Sequence, residues 1–297
     1  MAGTRQILQR RKAVANIAKV TRTMEMISTS RYKNYYNRWF AGLDFYDSLA
    51  QAAYLLLTSP VPVEHPLMKE NNSGRIAVLA IGSNRGLCGS YNNSVYRLLE
   101  VHLQRAKRAK KQIDIYACGR KLVNTLHYHN IPIKQVYSDF DEVPSEAQSH
   151  AMADGFIEQY EKGELDYFGI VYTRFYSRAS QHPQTLTVLP VAELIDDLTT
   201  RATVIWPSEL SFEDFYMSPS AEGIFGSVVR MMVRSSLRNC FVEAALSEHL
   251  ARVVAMRNAT ENAGEMIKEL TAEYNRARQG QITGELLDII GGVGASK

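Results

Sequence analysis

The sequence predicts an α/β protein: a long antiparallel coiled coil of the N- and C-terminal helices plus a Rossmann-like α/β domain with a mostly parallel sheet. Two observations lead to this prediction. A helical pattern of apolar residues runs over each end of the chain for much longer than an ordinary helix. Between the two ends, short buried strands alternate with helices, which is the pattern of βαβ units. These changes of pattern divide the chain into domains at 1–58, 59–210 and 211–297.

The N-terminal helix is predicted from Thr4 to Leu57, a stretch with no proline and one internal glycine, Gly42. Its apolar residues recur in steps of three and four over most of the run, as on one face of an amphipathic helix: Ile7, Val14, Ile17, Val20, Met24 and Ile27. At about 1.5 Å per residue the helix would span roughly 80 Å. No single globular core is that wide, so the helix projects or pairs with another helix. The prolines of SPVPVEHP (59–66) end it.

The middle of the chain is predicted to alternate strands with helices. The strands are RIAVLAI (75–81), IDIYAC (113–118), PIKQVY (132–137), YFGIVYTRF (167–175) and TLTVLPV (185–191). The helices lie at about 92–109, 120–129 and 145–160. This order predicts a mostly parallel sheet covered by helices.

The C-terminal helix begins after Ser220, a suitable N-cap that is followed by the acidic Glu222. Its apolar positions are Val229, Val233, Leu237, Leu246, Leu250, Val253, Ala263, Ile267, Leu270, Tyr274 and Ala277. Two long helices at opposite chain ends predict an antiparallel coiled coil. Because its contact positions are rich in Ala, Met and Thr, the coil is expected to be weaker than a leucine zipper and to need a surrounding partner.

Composition favours a soluble chain in a reducing compartment. No stretch approaches the roughly 18 uninterrupted apolar residues of a membrane-spanning helix. The polar, basic start MAGTRQILQRRKAV lacks the apolar region of a secretory signal. A mitochondrial transit peptide is an alternative for this Arg-rich start, but the helical pattern runs directly out of it and favours mature structure. The three cysteines (Cys88, Cys118 and Cys240) have no metal-type spacing, and disulfides are not expected.

The charge is uneven although the net value is only +3. Residues 1–38 hold nine Lys and Arg and a single acid, Glu25, whereas residues 221–297 hold nine bases and nine acids. A basic N-terminal helix favours acidic surroundings. Nucleic acid and an acidic protein collar both fit, although the helix lacks the basic-region-plus-zipper layout of a DNA-binding helix.

The segment GSNRGLCGSYN (82–92) follows a strand and precedes a helix, which is where phosphate-binding loops lie. It has neither GK[ST] nor GxGxxG spacing, so a tight strand-to-helix turn is the favoured interpretation and nucleotide binding the alternative. A Rossmann-type oxidoreductase would also need an acid about 20 residues further on. Glu100 is close to that spacing, but it falls on the predicted helix.

Three other polar segments have residue types that can form sites. HYH (127–129) has two histidines without a third ligand nearby, RAKRAKK (105–111) suits nucleic acid or lipid headgroups, and DFDEVPSE (139–146) is an acidic loop. The favoured interpretation of HYH is a pair of surface histidines, and that of RAKRAKK is a solvated helix end; neither needs a ligand. No catalytic, cofactor-binding or metal site is predicted.

Both ends of the chain resemble the gamma subunit of F-type ATP synthases. The family core K-x-T-[KR]-x-M-x-M is present at 19–26, ARxVAMxNATxNA at 251–263, and YNxARQxxIT at 274–283. The turn GSNRGLCGSYN is similar to the family's GSDRGLCGxxN, with Asn84 for the usual Asp. Where the family has W-x-Y-x-Y-E-P, this chain reads FEDFYMSP, with Phe212 and Met217 as departures.

The resemblance implies a non-catalytic rotor stalk, one copy per complex, inside a hexamer of alternating alpha and beta subunits. Its globular part would lie with the epsilon subunit on the membrane c-ring, and its rotation would couple ion flow to ATP synthesis or hydrolysis. No cofactor and no nucleic acid are expected. The expected location is the cytoplasmic face of the bacterial plasma membrane, as a peripheral protein, with an organellar energy-transducing membrane as the alternative. The cysteine-bearing insert of the light-regulated chloroplast form is absent, so thiol switching is not expected.

The resemblance also implies the site residues. Met24 would lie near the beta levers, where an apolar, flexible side chain slides without ionic capture. Six residues match positions linked to coupling and to contacts with alpha and beta: Arg252, Arg278, Gln279, Thr283, Glu285 and Asp288. Phe212, Glu213 and Tyr216 match the ring-proximal foot. The alternative for the C-terminal set is helix stabilisation through i,i+4 pairs. For the whole chain, the alternative is a free-standing coiled-coil scaffold or nucleic-acid binder.

Overall fold

The computed structural model describes residues 2–57, 65–201, 218 and 220–294. The chain forms two compact units, Met1–Ser30 with Arg252–Lys297, and Arg31–Ala251. We call them the paired-helix unit and the sheet unit. Helix α1 (Ala2–Leu57) and the last helix (Ala221–Gly294) each contribute to both units. The limits of the units therefore fall inside the two long helices, and the domain boundaries at 58 and 210 stay predictions.

Strands and helices alternate along the described part of the sheet unit as far as the fourth strand, as predicted, and the fifth strand follows the fourth directly. The strands are β1 (Arg75–Ile81), β2 (Gln112–Cys118), β3 (Gln135–Tyr137), β4 (Tyr167–Ser177) and β5 (Ser180–Leu189). The helices are α2 (Tyr91–Arg108), α3 (Arg120–Tyr128), α4 (Glu146–Glu161) and α5 (Val191–Arg201), followed by α6 (Ala221–Gly294). A 3-10 turn spans Pro66–Met68.

The sheet has the strand order β3-β2-β1-β4-β5. Strand β1 pairs in parallel with β2 and with β4, and β2 pairs in parallel with β3, whereas β4 and β5 are antiparallel. Parallel neighbours need crossover connections, which the helices supply. The prediction of a mostly parallel sheet is confirmed.

Helices cover both faces of this sheet because successive side chains of a strand point to opposite sides. On one face, Leu79 packs in a core with α4, α5 and residues of both long helices. On the other face, Val78 packs with Leu99 of α2 and Leu122 of α3. Both faces of the central strand β1 are therefore buried, which explains why its sequence RIAVLAI is a continuous apolar run.

Two strand predictions were too long. The run TLTVLPV was predicted to remain a strand to Val191, but β5 ends at Leu189 and α5 begins at Val191. Pro190 has no N–H to continue the ladder, and Leu194 and Leu198 bury one face of the new helix. In PIKQVY only Gln135–Tyr137 forms a strand, at the edge of the sheet.

The start of α6 is as predicted. The backbone N–H of Gly223 donates to Ser220 Oγ at 3.1 Å, and Glu222 lies in the first turn. This cap satisfies one of the free N–H groups of the helix, and the acid suits its positive end. Within the described residues, no helix combines the length and apolarity needed to cross a membrane.

Candidate functional site on the paired helices

In the paired-helix unit, α1 and α6 run antiparallel in a single register. Rising residue numbers in α1 meet falling numbers in α6, as in an antiparallel coiled coil. Four side-chain contacts define this register. Near the start of α1, Thr4 Oγ1 donates to Gln281 Oε1 at 3.2 Å, and the Arg11 guanidinium lies 5.7 Å from the centroid of the Tyr274 ring. Further along, the hydroxyls of Thr21 and Thr260 are 2.7 Å apart, and Arg257 Nε donates to Glu25 Oε1 at 3.3 Å.

The buried contact line between these helices is made of small and polar residues as much as of large apolar ones. Thr21 and Ser28 of α1 are buried, and they share the unit with the buried Ala263 and Leu270 of α6. Small side chains remove little apolar area from water, so each layer contributes little free energy. The expectation of a weak coil rich in Ala, Met and Thr is consistent with these layers.

The apolar stripe predicted along α1 does not form this contact line. Ile17, Val20 and Ile27 are 55, 58 and 54 % exposed, whereas Ile7 and Val14 are partly buried. The prediction was wrong for the three exposed residues because steps of three and four describe more than one face of a helix. At about 100° per residue, Val20 and Ile27 lie roughly 80–120° around the helix from the line that contains Thr21 and Ser28. Ile17 lies within about 40° of that line, at its margin, and its side chain is still exposed.

This outward face of α1 is the candidate interaction surface that the sequence reading missed. Ile17, Val20 and Ile27 are large apolar side chains that this chain leaves in solvent, and exposed bases such as Lys19 and Arg22 flank them. Contiguous exposed apolar residues rimmed by polar ones mark interaction sites. Met24, half-buried, lies on the same side of the helix.

The predicted C-terminal residues separate into an outward and an inward group. Arg278, Gln279 and Thr283 are exposed, and Arg278 makes no hydrogen bond or ion pair with any residue whose side chain is described. Helix stabilisation through an i,i+4 ion pair is therefore not seen for Arg278 within that part of the chain. Arg252, in contrast, is only 6 % exposed.

The remaining predicted site residues lie outside what the structure describes. Glu285 and Asp288 belong to α6, but their side chains are not among the described ones. Phe212, Glu213 and Tyr216 lie in 202–217, outside the described residues, as does Met217.

The turn after β1 satisfies its own polar groups. Asn92 Oδ1 accepts from Ser83 N at 2.9 Å, and Asn92 Nδ2 donates to Ser83 Oγ at 2.7 Å. A Cβ at Gly82 would lie 2.3 Å from that of Leu122, and one at Gly119 would lie 2.4 Å from the Gly82 carbonyl. The glycines thus allow β1 and α3 to approach closely, which supports the structural-turn interpretation. Asn84 fits here because its Oδ1 accepts from Arg120 N at 3.1 Å.

The other polar segments have local explanations. His129 stacks on Tyr96 with centroids 4.4 Å apart, and no group of three or more His, Cys, Asp or Glu in the described residues is arranged to hold a metal. The bases of RAKRAKK include the last turn of α2, where cations suit the helix dipole, and Lys111 pairs with Asp166 at 3.0 Å.

The comparisons with known proteins agree with the motifs at the two ends of the chain. The family model described as ATP synthase matches residues 3–295. The ATP synthase gamma chain of Rhodopirellula baltica is 38% identical over 298 residues, which cover 99% of each chain. This chain belongs to the ATP synthase gamma chain family. The gamma chain of Leptospira biflexa is 31% identical over 296 residues, again 99% of each.

Chains in solved structures share the fold of this chain. A chain of the Euglena gracilis mitochondrial ATP synthase rotor has a TM-score of 0.63 at 18% identity and covers 95% of this chain and 99% of its own. A chain of the central stalk and c-ring structure of the Tetrahymena thermophila mitochondrial ATP synthase has a TM-score of 0.56 at 20% identity, covering 81% and 99%. At such low identity the likeness shows the fold alone.

Proposed function

We propose that this gamma chain is the central rotor stalk of an F-type ATP synthase. The observation that carries the proposal is the outward face of α1, with Ile17, Val20 and Ile27 exposed on a weakly packed helix pair. Such a rod is marginal alone and gains stability when a collar covers its apolar face. The basic character of residues 1–38 suits a collar that presents acidic groups.

The proposed partners are a hexamer of alpha and beta subunits around the shaft, the epsilon subunit, and the c-ring, with one gamma chain per complex. Helices 1–58 and 211–297 would form the shaft, and 59–210 the globular part near the ring. The likeness to chains from a rotor and from a central stalk with its c-ring supports this set. The chain would act as a peripheral subunit on the cytoplasmic face of a bacterial plasma membrane.

The proposed mechanism is mechanical coupling. Ion flow turns the ring, the ring turns gamma, and an asymmetric shaft makes different contacts with each beta subunit in turn. Coupling between distant sites requires such differential contacts. This chain itself would carry out no chemistry. The turn after β1 is the segment most similar to a phosphate-binding loop, and there the Asn92 side chain already bonds the backbone N–H and the hydroxyl of Ser83. This supports the proposal that the chain is not catalytic.

Individual residues are proposed to act at the shaft surface. Met24 supplies an apolar, flexible contact, and the exposed Arg278 and Gln279 are available to donate hydrogen bonds to carboxylates or carbonyls of beta. Thr283, Glu285 and Asp288 are proposed for the same surface. The buried Arg252 is proposed to support the helix pair from within. Phe212, Glu213 and Tyr216 are proposed near the ring.

The deciding experiment is purification from native membranes through an affinity tag on this chain. Recovery of alpha and beta at three copies each per gamma, with ATPase activity, is the expected result. Recovery of the chain alone, or with nucleic acid and no ATPase, would overturn the rotor assignment in favour of a scaffold.

A paired substitution tests the coupling residues within that complex. Arg278→Ala is expected to lower ion-driven ATP synthesis about tenfold or more, because a charge-assisted contact is worth about 1.5–3 kcal/mol and about 1.4 kcal/mol is a factor of ten. Arg276→Ala is the matched control, since Arg276 is an exposed arginine two positions earlier and on another side of the helix. Equal effects of the two substitutions would show that Arg278 has no special contact.

A further inference from the structure

A cavity of about 630 Å³ opens in the sheet unit between α1, α6 and the beginning of α4. Its polar and aromatic lining includes Arg38 and Phe45 from α1, Arg234 and Arg238 from α6, and Glu146 and His150 from α4. We call it the arginine groove. Its lining shares no residue with the turn after β1 or with the outward face of α1 that the proposed function uses.

The groove contains positive charge that the described residues do not neutralise. Arg234 is compensated, since its Nε and Nη2 both donate to Asp154 at 2.8 Å. Arg38 lies over the Tyr35 ring at 5.6 Å, and among the described residues neither it nor Arg238 has an ion pair. Glu146 is the opposing carboxylate in the lining. Two guanidinium groups against one carboxylate leave an excess of positive charge.

An aromatic ring stands open beside these guanidinium groups. Phe45 is 47 % exposed and contacts Tyr46 edge-on, with centroids 6.0 Å apart. Among the described residues Tyr46 is its one ring contact, so the exposed part of the Phe45 ring offers aromatic surface on which a planar group can stack. Nucleobases stack on such rings, and arginine forks match the geometry of phosphate oxygens.

From this combination we infer that the arginine groove binds a nucleoside polyphosphate. The base stacks on Phe45, the phosphates lie between Arg38 and Arg238, and His150 supplies a further donor. The volume lies within the roughly 300–1,000 Å³ usual for sites of small organic ligands. An acidic protein segment would also use the arginines, but it would leave the ring of Phe45 uncovered.

Titration calorimetry on the full-length chain alone tests this site, because the alpha and beta subunits and their nucleotides are then absent. The probes are ATP without magnesium, tripolyphosphate and adenosine. ATP is expected to bind more tightly than either of the other two. Arg38→Gln and Arg238→Gln are each expected to weaken ATP binding about tenfold or more. Arg97→Gln is the matched control, since Arg97 is exposed on α2 outside the groove and should leave ATP binding unchanged.

Two further variants separate the ring from the charge. Phe45→Ala is expected to weaken ATP binding about tenfold and to leave tripolyphosphate binding unchanged, since only ATP has a base to stack. Glu146→Gln is expected to tighten ATP binding about twofold, because it removes the opposing carboxylate. These side chains are exposed or partly exposed, and far-UV circular dichroism would confirm that each variant folds.

Several results would overturn the inference. One is the absence of ATP binding at millimolar concentration, and another is an equal loss of affinity in Arg97→Gln and Arg238→Gln. Equal affinity for ATP and tripolyphosphate, with no effect of Phe45→Ala, would show that the groove binds anions in general, and this would also overturn the inference. Binding of a poly-glutamate peptide as tightly as ATP would point instead to a protein partner. None of these results bears on the recovery of alpha and beta subunits that tests the proposed function.

Discussion

The substitution Glu142→Gln tests how the acidic loop before α4 is held in the sheet unit. The Glu142 side chain is only 8 % exposed. Arg31 Nη1 donates to its Oε1 at 2.8 Å, Tyr35 OH donates to Oε2 at 2.7 Å, and His249 Nε2 lies 3.0 Å from Oε2. The Glu142 carboxylate thus links the loop to both long helices by hydrogen bonds. Glutamine has nearly the same shape as glutamate but carries no charge.

The size of the effect follows from the pKa of Glu142. Burial alone would raise this pKa, but the contacts from His249, Tyr35 and Arg31 outweigh burial and lower it from 4.5 to about 2. A lowered folded-state pKa contributes stability that is present above pH 4.5 and is lost as the pH falls toward 2. The contribution is at most about 3 kcal/mol, or roughly 6–12 °C in melting temperature for a unit of this size.

The assay is unfolding of the full chain followed by circular dichroism between pH 2 and 7. Glu142→Gln should melt well below the wild type at pH 7, and the two should converge as the pH approaches 2. Asp139→Asn, in the same loop but exposed, is the control and should change little. The reasoning would be refuted by equal melting temperatures at pH 7, or by a deficit in Glu142→Gln that does not shrink on acidification.

Three other outcomes are expected. The pair Thr21→Val and Thr260→Val should show a coupling free energy of about 1 kcal/mol in a double-mutant cycle by urea unfolding, and additive effects would contradict a shared hydrogen bond. Gly119→Ala should lower the unfolding free energy by about 3 kcal/mol or more, because its φ is +92° and the new Cβ would meet the Gly82 carbonyl; unchanged stability would count against that close approach. Met24→Lys should reduce ion-driven ATP synthesis more than ATP hydrolysis in the assembled complex, by forming an ion pair with an acidic group of beta that resists sliding; an equal reduction of both would contradict this.

Local sequence chemistry predicted much of the sheet unit. RIAVLAI and IDIYAC are strands because their β-branched and apolar runs suit positions that are buried on both faces. Ser220 is an N-cap because its hydroxyl reaches the N–H of Gly223. Helix α5 escaped prediction because the apolar run continues across Pro190, and only packing of Leu194 and Leu198 on the core reveals the change from strand to helix.

The candidate site was predicted less completely. The motifs at the two chain ends identified Arg278 and Gln279, which the structure leaves exposed. The periodicity of α1 put Ile17 and Val20 on its apolar face, but both side chains are exposed and do not form the buried contact line with α6. The arginine groove was missed altogether, because Arg38, Arg238 and His150 are far apart in sequence and have no motif in common.

The sequence by itself determined the two long helices, most of the strands and helices between them, and the family, since periodicity, capping and short motifs depend on residues close together in the chain. Only the tertiary structure decided which face of α1 meets α6 and which face stays open. Hydrophobicity favours burying Ile17 and Val20, but the observed register instead brings Thr21 against Thr260 and places Ser28 in the buried line. Small side chains permit a close approach of two helices, and that geometric condition depends on both helices at once.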